Sequence, residues 1–226
     1  METGFFRLLW RFNAIAIAAA ALLMLAFGSV IGFGLLFDRK TTRVVSADPA
    51  DQSVETILRY GGPQRMSGSV LRIPLIKDQT YTYRLASKGS RSNTINFAFV
   101  KIDSGETSWL LTDNRALVLS HHIIARTDEQ DRRAPLAIVY AIVRADTSGD
   151  GFLSASDDVE IAVGLPDNSR FEVLVSGAKT LKWADRAGED RAMIVFADAE
   201  GSKLAWLSIS DLSVTTVAPL IGPSSD

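Results

Sequence analysis

The pattern of hydrophobic and polar positions changes twice along the chain. From Ala14 to Phe37 there are 24 consecutive residues without a charge, AIAIAAAALLMLAFGSVIGFGLLF. As a helix rising about 1.5 Å per residue, such a stretch is about 36 Å long and crosses a hydrocarbon core of about 30 Å with some tilt. It is about twice as long as the apolar region of a secretory signal, and the small residues Val45-Ser46-Ala47 that a peptidase would need lie about ten residues beyond its end. The pattern therefore predicts an uncleaved transmembrane helix over 14–37. Residues 38–68, rich in Asp, Ser, Gly and Pro, read as a linker with one helical turn from Ser53 to Tyr60, ended by Gly61-Gly62. From Ser69 onward the chain runs in short β-branched and aromatic segments such as SVLRIPLI, TINFAFVKI, PLAIVYAIVRA and RAMIVFA, separated by turn residues. About twelve strands and no amphipathic helix are expected, so 69–226 is predicted to be an antiparallel all-β domain, which excludes the nucleotide-binding α/β folds.

Three stretches of this region repeat loosely. Phe97 to Asp103 leads through Gly105 to Trp109-Leu110-Leu111; Ile138 to Arg144 leads through Gly149 to Phe152-Leu153; Met193 to Asp198 leads through Gly201 to Leu204 to Leu207. The turn glycines are 44 and 52 residues apart, a period of about four strands. This resembles the blade repeats of β-propellers of the TolB or WD type. Three such units do not close a ring, which takes at least four. The resemblance leaves three arrangements open: an open fragment, two copies completing a ring, or a β-sandwich with similar hairpins. An open fragment would leave sheet edges free to pair with another chain.

Charge and composition narrow the function. The chain of 226 residues carries 24 Lys and Arg against 26 Asp and Glu, for a net charge of -2. The first 43 residues hold five of the basic and two of the acidic residues, so the mildly acidic remainder has no attraction for nucleic acid. With no cysteine, disulfides, thiol nucleophiles and thiolate metal sites are excluded. The tail 1–13 places Phe5, Phe6, Trp10 and Phe12 among Arg7 and Arg11, as an interfacial belt. Arg39, Lys40 and Arg43 follow the span, and charge counting alone slightly favours a cytoplasmic carboxyl side. The short amino-terminal tail and the motif below instead favour an extracytoplasmic, periplasmic β-domain on a bacterial-type inner membrane. Gly28 and Gly32 form a small-xxx-small pair suited to close contact with a partner helix.

Asp146 to Asp157 reads DTSGDGFLSASD and resembles the calcium loops of EF-hand and dockerin-type sites. The resemblance implies Asp146, Ser148, Asp150, the Phe152 carbonyl, Ser154 and Asp157 as ligands, with Gly151 where the chain turns sharply. Ser replaces the usual acid at the third position and Asp replaces Glu at the last. Both weaken the site to a dissociation constant on the order of 10⁻⁴ to 10⁻³ M, suited to an extracytoplasmic setting.

Nothing in the sequence selects a catalytic group. His121 and His122 are adjacent, so in a strand they face opposite ways. The carboxylates Asp103, Glu106, Asp113, Asp185, Glu189, Asp190, Asp198 and Glu200 gather at turns, and Trp109, Trp183 and Trp206 read as core packing. The expectation is a non-enzymatic accessory or assembly subunit that docks on an integral membrane partner or on its own copy. The alternative is a tethered module that binds a soluble ligand, peptide or glycan.

Overall fold

The structure is a computed structural model and describes residues 24, 45–48, 55–82, 88–127 and 133–220. The 14–37 span, apart from Met24, lies outside the described residues, as do Gly28 and Gly32. Among the described residues no helix is long and apolar enough to cross a membrane.

The described residues from Val45 onward form fifteen strands, paired antiparallel throughout. The all-β expectation holds. A first sheet contains β2 (Glu55–Tyr60), β3 (Gln64–Ser67), β4 (Val70–Thr82), β5 (Lys88–Lys101) and β6 (Thr107–Trp109), with β2 and β3 both pairing β4. A second is ordered β11-β10-β8-β7, from β7 (Leu117–Thr127), β8 (Arg133–Val143), β10 (Val159–Gly164) and β11 (Phe171–Ala178). A third runs in chain order through β12 (Thr180–Arg186), β13 (Arg191–Asp198), β14 (Gly201–Ser208) and β15 (Ser213–Pro219). The short β1 (Val45–Ser46) pairs with β9 (Phe152–Leu153).

The second sheet is the middle layer, and the reason is written in β8. Leu136 to Val143 is an unbroken apolar run, and every residue from Ala137 to Val143 is buried. A strand of this kind has both faces covered. Ile138, Tyr140 and Ile142 pack with Phe97, Phe99 and Val70 of the first sheet. Ala137, Val139, Ala141 and Val143 pack with Leu181, Ile194 and Phe196 of the third. Burying each large side chain of this core contributes about 1.5–3 kcal/mol.

Two sequence expectations are corrected. The segment read as a linker contributes three strands, and Glu55–Tyr60 is extended instead of helical. Its β-branched and aromatic residues pair with β4, and this tertiary pairing overrides the weak local preference. At its end Gly61 turns against β4 so closely that a Cβ would lie 2.6 Å from Pro74 Cγ. The three repeats are also out of phase. The Gly149 and Gly201 turns join the second and third strands of their sheets in chain order, whereas the Gly105 turn joins β5 and β6, the fourth and fifth strands of the first.

Candidate functional sites

The loop between β8 and β10 is closed by its own carboxylates. Asp146 Oδ1 accepts the N–H groups of Gly149 (2.7 Å) and Asp150 (3.2 Å) and the Ser148 hydroxyl, and its Oδ2 accepts Gly151 N–H at 2.8 Å. Asp157 is fully buried; its Oδ1 accepts Thr147 and Ser148 N–H, both at 2.9 Å, and its Oδ2 accepts Ser154 N–H at 2.7 Å. Burial alone pushes the Asp157 carboxyl upward, but the donors from Ser148, Ser154 and Thr147 outweigh it and hold the group below its ordinary range. Gly151 adopts φ +82°, the left-handed turn that the motif requires of its sixth position. Asp150 Oδ1 accepts Phe152 N–H at 2.9 Å. Among the described residues, no three His, Cys, Asp or Glu side chains gather as a metal cluster. The donor chemistry suits a hard cation, since Asp146 Oδ2, Asp157 Oδ2 and Asp150 keep unspent lone pairs, but these oxygens are not preorganised around one point.

The histidines separate as their adjacency on β7 demands. His121 sits edge-on to Phe97 of the first sheet, with ring centroids 5.5 Å apart. His122 lines a shallow cleft with Arg133, Ala184 and Asp185, on the side of the third sheet. The turn carboxylates serve hairpin ends. Glu106 pairs with Lys101, Asp198 and Glu200 both pair with Lys203, and Asp190 accepts from the hydroxyls of Ser208 and Ser210. Hydrogen bonds from Ser210 hold Asp190 low, and Lys203 does the same for Asp198. A general acid working near neutrality needs a carboxyl held high, the opposite shift.

Two exposed aromatic features were hidden from sequence reasoning. On the third sheet, the residues facing away from the core form a row across four strands, Trp183, Val195, Leu204 and Ala218, beside a pair formed by Met193 and Trp206. None of these belongs to either buried cluster, and Trp183 is 40% exposed. On the first sheet, Tyr60 of β2 stacks on Trp109 of β6 at 6.5 Å, and they are 63% and 39% exposed. Trp109 and Trp183 are thus surface residues and not the core packing their composition suggested. The alternation of apolar residues marked these strands, but it cannot say which layer ends the stack. Asn168, in the turn between β10 and β11, donates to the Trp109 carbonyl at 3.1 Å. That turn and the Asp146–Asp157 loop flank opposite ends of β10, so the aromatic pair is not held by the loop.

Comparison with protein-family profiles and with curated proteins gives no match. Among solved structures, the chain is similar to the β-propeller domain of the Trilobed protease from Pyrococcus furiosus, described as having an open velcro topology. The identity is 12% and the TM-score 0.37, with 71% of this chain and 42% of that chain covered. The chain thus spans less than half the length of that structure.

Proposed function

We propose that the chain is a single-pass, membrane-anchored, non-enzymatic accessory or assembly subunit of a larger membrane protein complex, with its β-domain on the extracytoplasmic side. The observation that carries this reading is the uncovered face of the third sheet. The middle sheet has apolar residues on both faces and both are buried; the third has them on both faces and only one is buried. Four strands about 4.8 Å apart and about 25 Å long present on the order of 500 Å², within the range of patches that are often functional on a monomer. In this reading the 14–37 span is the anchor and Gly28 and Gly32 meet a partner helix. The loop takes calcium weakly as a brace, supported by the Gly151 turn and the unspent oxygens of Asp150. Its ligands would be Asp146, Ser148, Asp150, Phe152, Ser154 and Asp157, and their present engagement with backbone donors argues for low affinity.

The test is Leu204→Glu in the full chain. A charge placed in the centre of the docking face sheds co-purifying membrane partners while the thermal unfolding midpoint stays within about 2 °C, because the side chain lies outside the core. Retention of the same partners would overturn the reading. A second reading, a tethered module for a peptide or glycan, is favoured by the Tyr60–Trp109 stack. It is separated from the first by Trp109→Ala, which would abolish ligand binding and leave membrane partners in place.

A further inference from the structure

We propose that Arg72 and Tyr140 form a binding site for a small monovalent anion, a halide or a carboxylate of formate size, between the first and second sheets. Arg72 lies on β4 with its side chain turned into the core, and the residue is 1% exposed. Its guanidinium sits over the Phe97 ring, 4.6 Å from the centroid. At one end Nη2 donates to Gln64 Oε1 at 2.7 Å and contacts His121 Nε2 at 2.9 Å. The contact with Nε2 satisfies a guanidinium N–H where that nitrogen is unprotonated. Neither partner then brings a negative charge.

Arg72 Nε and Nη1 are buried without a hydrogen-bond partner, and so is the hydroxyl of Tyr140. Tyr140 is directly opposite His121 across the β7–β8 pair, and its ring is 5.9 Å from that of Phe97, so the four side chains form one cluster. Burial drives the Tyr140 hydroxyl up to about 12, only partly countered by Arg72, which keeps it protonated and a donor. Three guanidinium N–H groups and a phenolic O–H thus lie together with no hydrogen bond made and no negative charge among them; the Tyr140 oxygen beside Arg72 is an acceptor, but an uncharged one. A buried cation without a counter-charge is strongly disfavoured, and so are orphaned donors. A single anion bridging Arg72 and Tyr140 removes both penalties.

The approach is from Nη2. Gln64 and His121 are both exposed, and Gln64 belongs to the four-residue strand β3 at the edge of its sheet, where a side chain swings aside at little cost. The donors themselves are closed off from solvent, which restricts the site to small ions. This site is independent of the third-sheet face.

The experiment is thermal unfolding of the full chain in detergent, in sodium chloride, sodium formate and sodium gluconate at one ionic strength. Chloride, formate or both raise the midpoint by about 5 °C or more at a hundredfold excess over the dissociation constant, and the bulky gluconate does not. Whichever small ion acts identifies the site as halide- or carboxylate-selective. Tyr140→Phe, which keeps the ring and removes one donor, lowers the apparent affinity several-fold, and Arg72→Met removes the response. If Arg72→Met does not fold, Tyr140→Phe alone carries the test. Identical midpoints of the wild type in all three salts, or a Tyr140→Phe response equal to that of the wild type, overturns the proposal.

Discussion

Val45 lies directly opposite Leu153 in the antiparallel pair of β1 and β9, and both side chains are buried. The pairing is extended by Ala47 N–H, which donates to the Gly151 carbonyl at 3.0 Å, and by Ser46 N–H, which donates to Gln79 Oε1 at 3.1 Å. The chain just past residue 44 is therefore fastened both to the Asp146–Asp157 loop and to β4 of the first sheet. A segment with the composition of a spacer acts as a clasp.

This clasp has a measurable worth. Leu153→Ala removes a side chain that is 3% exposed and sits in the core shared by the second and third sheets. A loss of about 2–4 kcal/mol in denaturant unfolding is expected. A change below about 0.5 kcal/mol would mean that β1 and β9 close nothing.

The loop carboxylate Asp157 gives a pH dependence of defined sign. Its folded pKa is depressed below the ordinary 3.8. Its contribution is thus fully present above about pH 4 and is lost as pH falls through the lowered folded value. Asp157→Asn keeps the shape but removes the charge that accepts three backbone N–H groups, and should cost about 2–4 kcal/mol at pH 7. The difference between wild type and variant should shrink in acid unfolding below pH 4. A difference that grows as pH falls would reverse the assignment.

Calcium separates the loop's two roles. Millimolar calcium should raise the unfolding midpoint of the wild type, and magnesium, which demands stricter octahedral geometry, should do so less. Asp150→Ala loses one hydrogen bond, to Phe152 N–H, so its own cost is small, about 1 kcal/mol. It should nevertheless abolish the calcium effect. An equal calcium response in Asp150→Ala and wild type would show that any ion binds elsewhere.

Much of this architecture was legible in the sequence. The apolar segment around Leu136 to Val143 announced a strand, and the adjacency of His121 and His122 announced their separation onto two faces. What stayed hidden has a common cause. Whether Trp183 and Trp206 face a neighbouring sheet or solvent depends on how many sheets follow, and strand periodicity is the same in either case. The pairing of Glu55–Tyr60 with β4 is long-range, and the segment's Gly, Pro and Asp neighbours obscure it. Arg72 alternates with Leu71 and Ile73 as a polar position at a sheet surface would, and its burial follows from its register opposite Phe99, which the sequence does not display. The loop motif was legible residue by residue, but its engagement with backbone donors was not.

Docking of the third-sheet face on a membrane partner can be measured directly. The most direct measurement is to extract the full-length protein from its native membrane in mild detergent, determine the mass of the particle and identify the chains in it. A particle well above the mass of one or two 24.5 kDa chains is expected, containing integral membrane proteins that Leu204→Glu releases. A particle holding only one or two copies of this chain, unchanged by Leu204→Glu, would contradict it.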